Sequence, residues 1–135
     1  MNNIFLKKII ARSPSDLQMI SACCSEAKVK SMDIKYLEKN KIFLLSVERL
    51  NKETRNRNKE KLNSIIKFEF IDSSKSKNID QKDPELILEL LAIDLLKKDH
   101  NYQISLLFSD NAFIILNAEI IEVTLEDQKI DDKSI

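Results

Sequence analysis

Glycine is absent from this chain of 135 residues, and that absence limits how the backbone can reverse. At a typical usage of ~7%, about nine would be present. Two-residue hairpins and many helix ends need a residue at positive φ, which glycine adopts without steric cost. Here every such position must be filled by a residue bearing a Cβ, and Asn and Asp are the least penalised. Asn40, Asn78 and Asn111 stand at expected reversals and are the candidates for that role. The same absence excludes chemistry. A glycine-rich phosphate cradle, a dinucleotide fingerprint and a nucleophile elbow all depend on close backbone approach or positive φ at glycine, so none can be written with these residues.

The length suits one domain, expected over residues 1–126, followed by a polar, frayed tail at 127–135. Twenty-two basic residues balance twenty-two acidic ones, which leaves no global field to steer the chain onto nucleic acid or an anionic membrane. The adjacent Cys23 and Cys24 form no disulfide framework, pointing to a reducing compartment. The run Ile4-Phe5-Leu6 before Lys7-Lys8 is too short for a secretory signal. A cytoplasmic protein without cofactor is the expectation.

Local patterns give the elements. Asn3 to Ala11 reads as a first strand. Ser13-Pro14-Ser15-Asp16 is a helix start, with Ser13 as cap, and Leu17, Ile20, Cys24 and Ala27 form a buried stripe on a helix from Pro14 to Ala27. From Val29 the period changes to two: Met32, Ile34 and Tyr36 alternate with Asp33 and Lys35. Ile42 to Leu50 is a strand with Phe43, Leu45 and Val47 on one face. Asn51 to Lys61 is polar. Leu62 to Ile71 is a further strand, on which Ile66, Phe68 and Phe70 alternate with Lys67 and Glu69, and Ser73 to Lys82 is turn-like. Residues 84–96 read as helix, from the Asp83-Pro84-Glu85 cap and the leucine-rich run, or as a buried strand, with a helical turn followed by a strand favoured. Tyr102 to Phe108 and Ala112 to Leu125 flank the hairpin connection Ser109-Asp110-Asn111, with a phase slip near Ile120-Ile121 that a β-bulge would give. The fold expected is α+β: a twisted antiparallel sheet of six to seven strands, compatible with a partly closed, pleckstrin-homology-like barrel, with one helix after the first strand.

Asp16-Leu17 followed by Ile20-Ser21-Ala22, the stretch Phe43 to Arg49, Asn78-Ile79-Asp80, Asp83-Pro84, Leu88 to Ile93 and the terminal hairpin together carry a resemblance. From about Leu6 to Asp127 the chain resembles an alphaproteobacterial family of small cytoplasmic proteins known only as a domain of unknown function. That family tends to have Asn-Arg-Phe where Glu48-Arg49-Leu50 stands here, and glycine where Asn78 and Ser109-Asp110-Asn111 stand. The resemblance implies kept turn shapes and no particular activity.

Five groups of residues are candidates for chemistry. Cys23 and Cys24 project about 100° apart on a helix, which suits a core position for Cys24 better than chelation. His100, the single histidine, lies in a polar stretch beside Asp99. It could serve as a general base, but no local pattern sets a nucleophile near it. Asp72, Asp80, Asp83, Glu85 and Glu89 cluster in sequence without calcium-loop spacing, so no metal site is assigned. Lys52, Arg55, Arg57, Lys59 and Lys61 could contact RNA phosphates, although no aromatic is interleaved for stacking and Glu53 and Glu60 dilute the charge. Arg49 ends an apolar strand and could pair with Asp80 or Asp83, or present its fork to an anionic ligand.

The leading expectation is therefore a non-catalytic binding or adaptor protein with a protein partner. A homodimer is allowed by the sequence; no membrane partner is expected, a nucleic-acid partner is disfavoured, and the sequence leaves a small-molecule ligand unknown. The alternatives are a small hydrolase or ligand-processing enzyme built on Arg49, Asp80 and Asp83, and an RNA contact through residues 52–61.

Overall fold

Alternating apolar and polar residues can half-bury only if the strands share one covered face. A computed structural model, describing residues 6–51 and 61–128, shows how this chain does so. In chain order the elements are β1 (Lys8–Ala11), α1 (Pro14–Cys23), β2 (Ala27–Lys30), β3 (Ile34–Leu37), β4 (Ile42–Leu50), β5 (Lys61–Phe68), β6 (Ile71–Lys77), β7 (Ile87–Lys97), β8 (Tyr102–Phe108), β9 (Phe113–Ala118) and β10 (Val123–Asp127). Among the described residues these form one antiparallel sheet of ten strands, ordered β1-β10-β5-β4-β2-β7-β8-β9-β6, with β3 added beside β4. The α+β class is as expected.

The strand count exceeds the six or seven expected because three apolar runs are each cut in two. A 3-10 turn at Ser31–Asp33 separates β2 from β3 and leaves Met32 58% exposed, off the face where alternation would put it. Phe70, at φ 60°, ends the β5 alternation and hands the inner position to Ile71, so Phe70 is exposed and Ile71 buried. The slip near Ile120-Ile121 is a change of neighbours rather than a bulge: β9 pairs with β8 and β6, whereas β10 pairs with β5 and β1. Ser73 to Lys77, read as turn-like, lies in the edge strand β6, where serines and lysines are tolerated because an edge is half solvated. In residues 84–96 the helical turn is replaced by turns around Asp80 to Leu86, and β7 carries the strand, with a register shift between Leu90 and Ala92. The free N–H of Ile93 beside that shift donates to Ser21 Oγ of the helix at 2.9 Å.

β5–β6 and β9–β10 together form a ribbon that bends at Phe70. The N–H of Glu69 donates to the Glu122 carbonyl and the N–H of Glu119 to the Phe70 carbonyl, joining the β5–β10 ladder to the β6–β9 ladder. The bend carries the sheet around one core, which Leu17 and Ile20 of α1 share with Leu45, Ile66, Leu106 and Leu116. Ser13 caps the helix as expected, accepting the Asp16 N–H at 3.2 Å. The helix ends at Cys23, however, and Ala27 belongs to β2.

Two of the three expected asparagines take the left-handed region. Asn78 (φ 62°) does, and Asp110 with Asn111 (both φ 60°) makes a type I′ turn closed by the Ala112 N–H on the Ser109 carbonyl. At the β3–β4 reversal the role passes from Asn40 to Lys41 (φ 57°). Glu26 (φ 69°) and Phe70 take it with no local chemistry in their favour. Tertiary hydrogen bonds hold these sites: Glu26 N–H donates to the Leu90 carbonyl at 2.7 Å, and Ile71 N–H to the Lys41 carbonyl at 2.9 Å. Lys41 Nζ also bridges Glu119 at 2.6 Å and Asp72 at 3.1 Å.

Glu26 is exposed and its φ suits glycine, so Glu26→Gly should stabilise the fold by about 0.5–1 kcal/mol in urea titrations. Glu26→Val, β-branched, should destabilise it. A loss in Glu26→Gly equal to that in Glu26→Val would show that φ is not the limiting factor. At the Lys41 corner the hydrogen bond from Lys41 holds the Asp72 carboxyl below its ordinary value, and the bonds to Glu119 and then Asp72 push Lys41 up to about 12. A depressed carboxyl stabilises above its unfolded pKa and loses that contribution as pH falls through the folded value. A raised lysine stabilises below its unfolded pKa and loses the contribution as pH rises through about 12. Lys41→Met should therefore melt below the wild type at neutral pH. The gap should close towards about pH 2 and narrow in about 1 M salt.

Candidate functional site

β4, β5 and β10 each place apolar residues at every second position facing inward, and each puts one polar residue in the same phase. Arg49 follows Phe43, Leu45 and Val47; Ser64 lies between Leu62 and Ile66; Asp127 follows Val123 and Leu125. Because Ser64 stands opposite both Val47 and Asp127 in the ladders, the three side chains converge at one end of the inner face. Arg49 Nη2 donates to both carboxylate oxygens of Asp127 at 2.9 Å, and its Nε donates to Oδ1 at 3.1 Å. Ser64 Oγ donates to Oδ1 at 2.6 Å and accepts from Arg49 Nε at 3.2 Å. The backbone N–H of Lys7 donates to Oδ2 at 3.0 Å, and the Asp127 N–H returns a bond to the Lys7 carbonyl. The two charged side chains are 1% and 0% exposed, so the pair is a fully desolvated, charge-assisted fork.

On the other side of the same strands lies a groove of about 620 Å³. It opens where β2 leaves β4: the two strands share only the Lys28–Glu48 pair before the Ser31–Asp33 turn carries the chain away. Lys28 and Lys30 supply cations, Asp33 and Glu48 carboxylates, Asn63 and Gln128 amides, and Ile65 and Ile87 apolar wall. Ser64 and Val47 also line it, so the backbone that forms the floor belongs to strands pinned from behind by Arg49 and Asp127. The volume lies within the range of about 300–1,000 Å³ common to ligand clefts. The groove carries both signs of charge and donors as well as acceptors, which suits recognition of a partner's backbone and mixed side chains better than a lone anion.

The expected site residues fall differently. Arg49 forms an internal ion pair, but with Asp127 rather than Asp80 or Asp83. Those two are exposed and cap their own turns, Asp80 Oδ1 accepting the Lys82 N–H and Asp83 Oδ1 the Glu85 N–H. The structure does not bring them to Arg49, because loop and ion pair lie on different parts of the sheet. Asp127, assigned by sequence to the head of the tail, is the last residue of β10. Lys61 is exposed and lies 3.8 Å from Glu48; Lys52, Arg55, Arg57 and Lys59 lie outside the described residues. Cys24 is buried in the core and His100 is exposed. Among the described residues no group of three or more His, Cys, Asp or Glu could hold a metal ion, and no helix is long and apolar enough to cross a membrane. Sequence reasoning missed Ser64 and Asp127. Their signal was a polar residue in the inward phase of an apolar strand, which also marked Arg49.

A family model described as "Protein of unknown function (DUF2948)" matches residues 7–134. No curated protein and no solved structure matches the chain.

Removing one partner of a buried pair strands the other charge, so Arg49→Met or Asp127→Leu alone should destabilise by about 3–5 kcal/mol. The double variant should cost much less than the sum, as a double-mutant cycle in urea would register. Additive losses would mean that the two side chains are not coupled.

Proposed function

The chain belongs to the DUF2948 family of proteins of unknown function, and on that premise we propose that it is a non-catalytic binding protein of the bacterial cytoplasm that holds a protein partner in the groove over β2, β4 and β5. The observation that carries the reading is the groove itself, with Lys28, Lys30, Asp33 and Glu48 presenting both charges over a floor of paired strands. An extended segment of a partner offers backbone N–H and carbonyl groups that match such a lining, while Ile65 and Ile87 accept an apolar side chain. The Arg49–Asp127 fork behind the floor limits reorganisation on binding, which lowers the ordering cost of association. The continuous ribbon supports reading the sheet as a partly closed, pleckstrin-homology-like barrel, an analogy that gives no function by itself. The resemblance to small alphaproteobacterial cytoplasmic proteins supports the location.

A photo-crosslinking residue at Ser46, in the groove, should capture a discrete protein from native cytoplasm, whereas the same residue at the exposed His100 should not. Adding Lys30→Glu to the Ser46 probe should abolish capture by reversing a groove charge. Equal capture at both positions, or capture insensitive to Lys30→Glu, would overturn the reading.

A further inference from the structure

The outer face of β7, β8, β9 and β6 lies away from the groove and carries a pattern of its own. Cross-strand partners share a face, so the ladders define rows across these four strands. The first row is Ala92, Leu107, Phe113 and Lys77. The second is Asp94, Ser105, Ile115 and Lys75, and the third Leu96, Gln103, Asn117 and Ser73. Their inward neighbours Ile93, Leu106 and Ile114 are buried in the core, so these rows face outward. Leu107, Phe113 and Ile115 are half-buried only, while Asp94, Lys75 and Lys77 are exposed. The middle strands thus carry Leu107, Phe113 and Ile115 beside the uncharged polar Ser105, Gln103 and Asn117, with the acid Asp94 at one margin and two lysines at the other.

We infer that this face pairs two copies of the chain about a two-fold axis running along the strands. Such an axis keeps each row and reverses the order of strands, so β7 of one copy lies over β6 of the other and β8 over β9. Leu107 then packs on the second copy's Phe113, Asp94 meets its Lys75, and Gln103 meets its Asn117. Every contact occurs twice, and charges of opposite sign fall together without a second kind of surface. Axes across the strands would instead set Asp94 on the second copy's Asp94, Lys75 on its Lys75 and Leu107 on its Gln103. The pairing of Asp94 with Lys75, where the other axis opposes like charges, and the packing of Leu107 on Phe113 therefore select both the occupant, a second copy, and its orientation. Four strands about 4.8 Å apart and three rows give a face of about 20 by 20 Å, on the order of 400 Å² per copy. That lies below the standard size of stable specific interfaces, so the pairing is a weak, reversible one.

Sedimentation equilibrium of the full chain from about 1 to 300 µM tests this. The wild type should show a monomer–dimer equilibrium, weakened by salt. Asp94→Lys places two lysines against each other at both contacts, and Lys75→Asp two aspartates, so each variant alone should raise the dissociation constant about tenfold or more. An equimolar mixture of the two should recover association, because Lys at 94 then meets Asp at 75 and the native pair forms at the other contact. Both positions are exposed, and circular dichroism would confirm that each variant is folded. A wild type that stays monomeric throughout, as it would if a different protein covered the face, overturns the inference. So does dimerisation unaffected by either variant, or a mixture that fails to recover.

Discussion

Arg49 and Asp127 lie on strands that are 78 residues apart in sequence and come together only because β5 sits between β4 and β10. Taking both charges out of water is costly, and the fork is tolerable because Ser64 and the Lys7 N–H add hydrogen bonds to the carboxylate and no buried side-chain polar atom among the described residues lacks a partner. The geometry makes register matter. A slip of β10 by one residue against β5 would turn Asp127 to the outer face and bring Glu126 or Gln128 inward, leaving Arg49 without its bidentate acceptor. The same pair fastens the chain's first described strand, since Lys7 bonds Asp127 through both its N–H and its carbonyl. Both the groove floor and the β1 edge depend on that arrangement.

A chain without glycine still has to reverse, and it does so in two ways. At Asn78 and at Asp110-Asn111 the residues are those that tolerate the left-handed region best, so local chemistry and fold agree. At Glu26, Lys41 and Phe70 they do not, and the backbone is held by bonds from distant segments: Leu90 for Glu26, and the Ile71 N–H linking the Lys41 and Phe70 corners. Strain of this kind persists only where the surroundings over-determine it. Two of the three sites fall at the bend of the ribbon, where the sheet turns around its core.

Much of the architecture was legible locally. β4 and β8 have the bounds their alternation predicts, the Ser13 cap forms, and the last hairpin turns at Asp110-Asn111. The splitting of three apolar runs was not legible. Apolar alternation says that a residue faces inward but not which neighbour it faces, and 112–125 keeps nearly the same pattern while passing from one pair of neighbours to another. The place of Arg49 on an apolar strand marks it, yet nothing local distinguishes Asp127 as its partner from Asp80 and Asp83, which instead cap turns in their own loop.

What the sequence by itself determined is therefore the inward faces of β4 and β8, the helix start, the turns at Asn78 and Asp110-Asn111, and the exclusion of glycine-dependent chemistry. These depend on period, capping and φ preference, all local properties. Only the tertiary structure decided that Asp127 answers Arg49, that Lys41, Phe70 and Glu26 adopt left-handed backbone, and that a groove opens where β2 leaves β4. Those outcomes depend on ladder register between strands remote in the chain, which local periodicity does not encode.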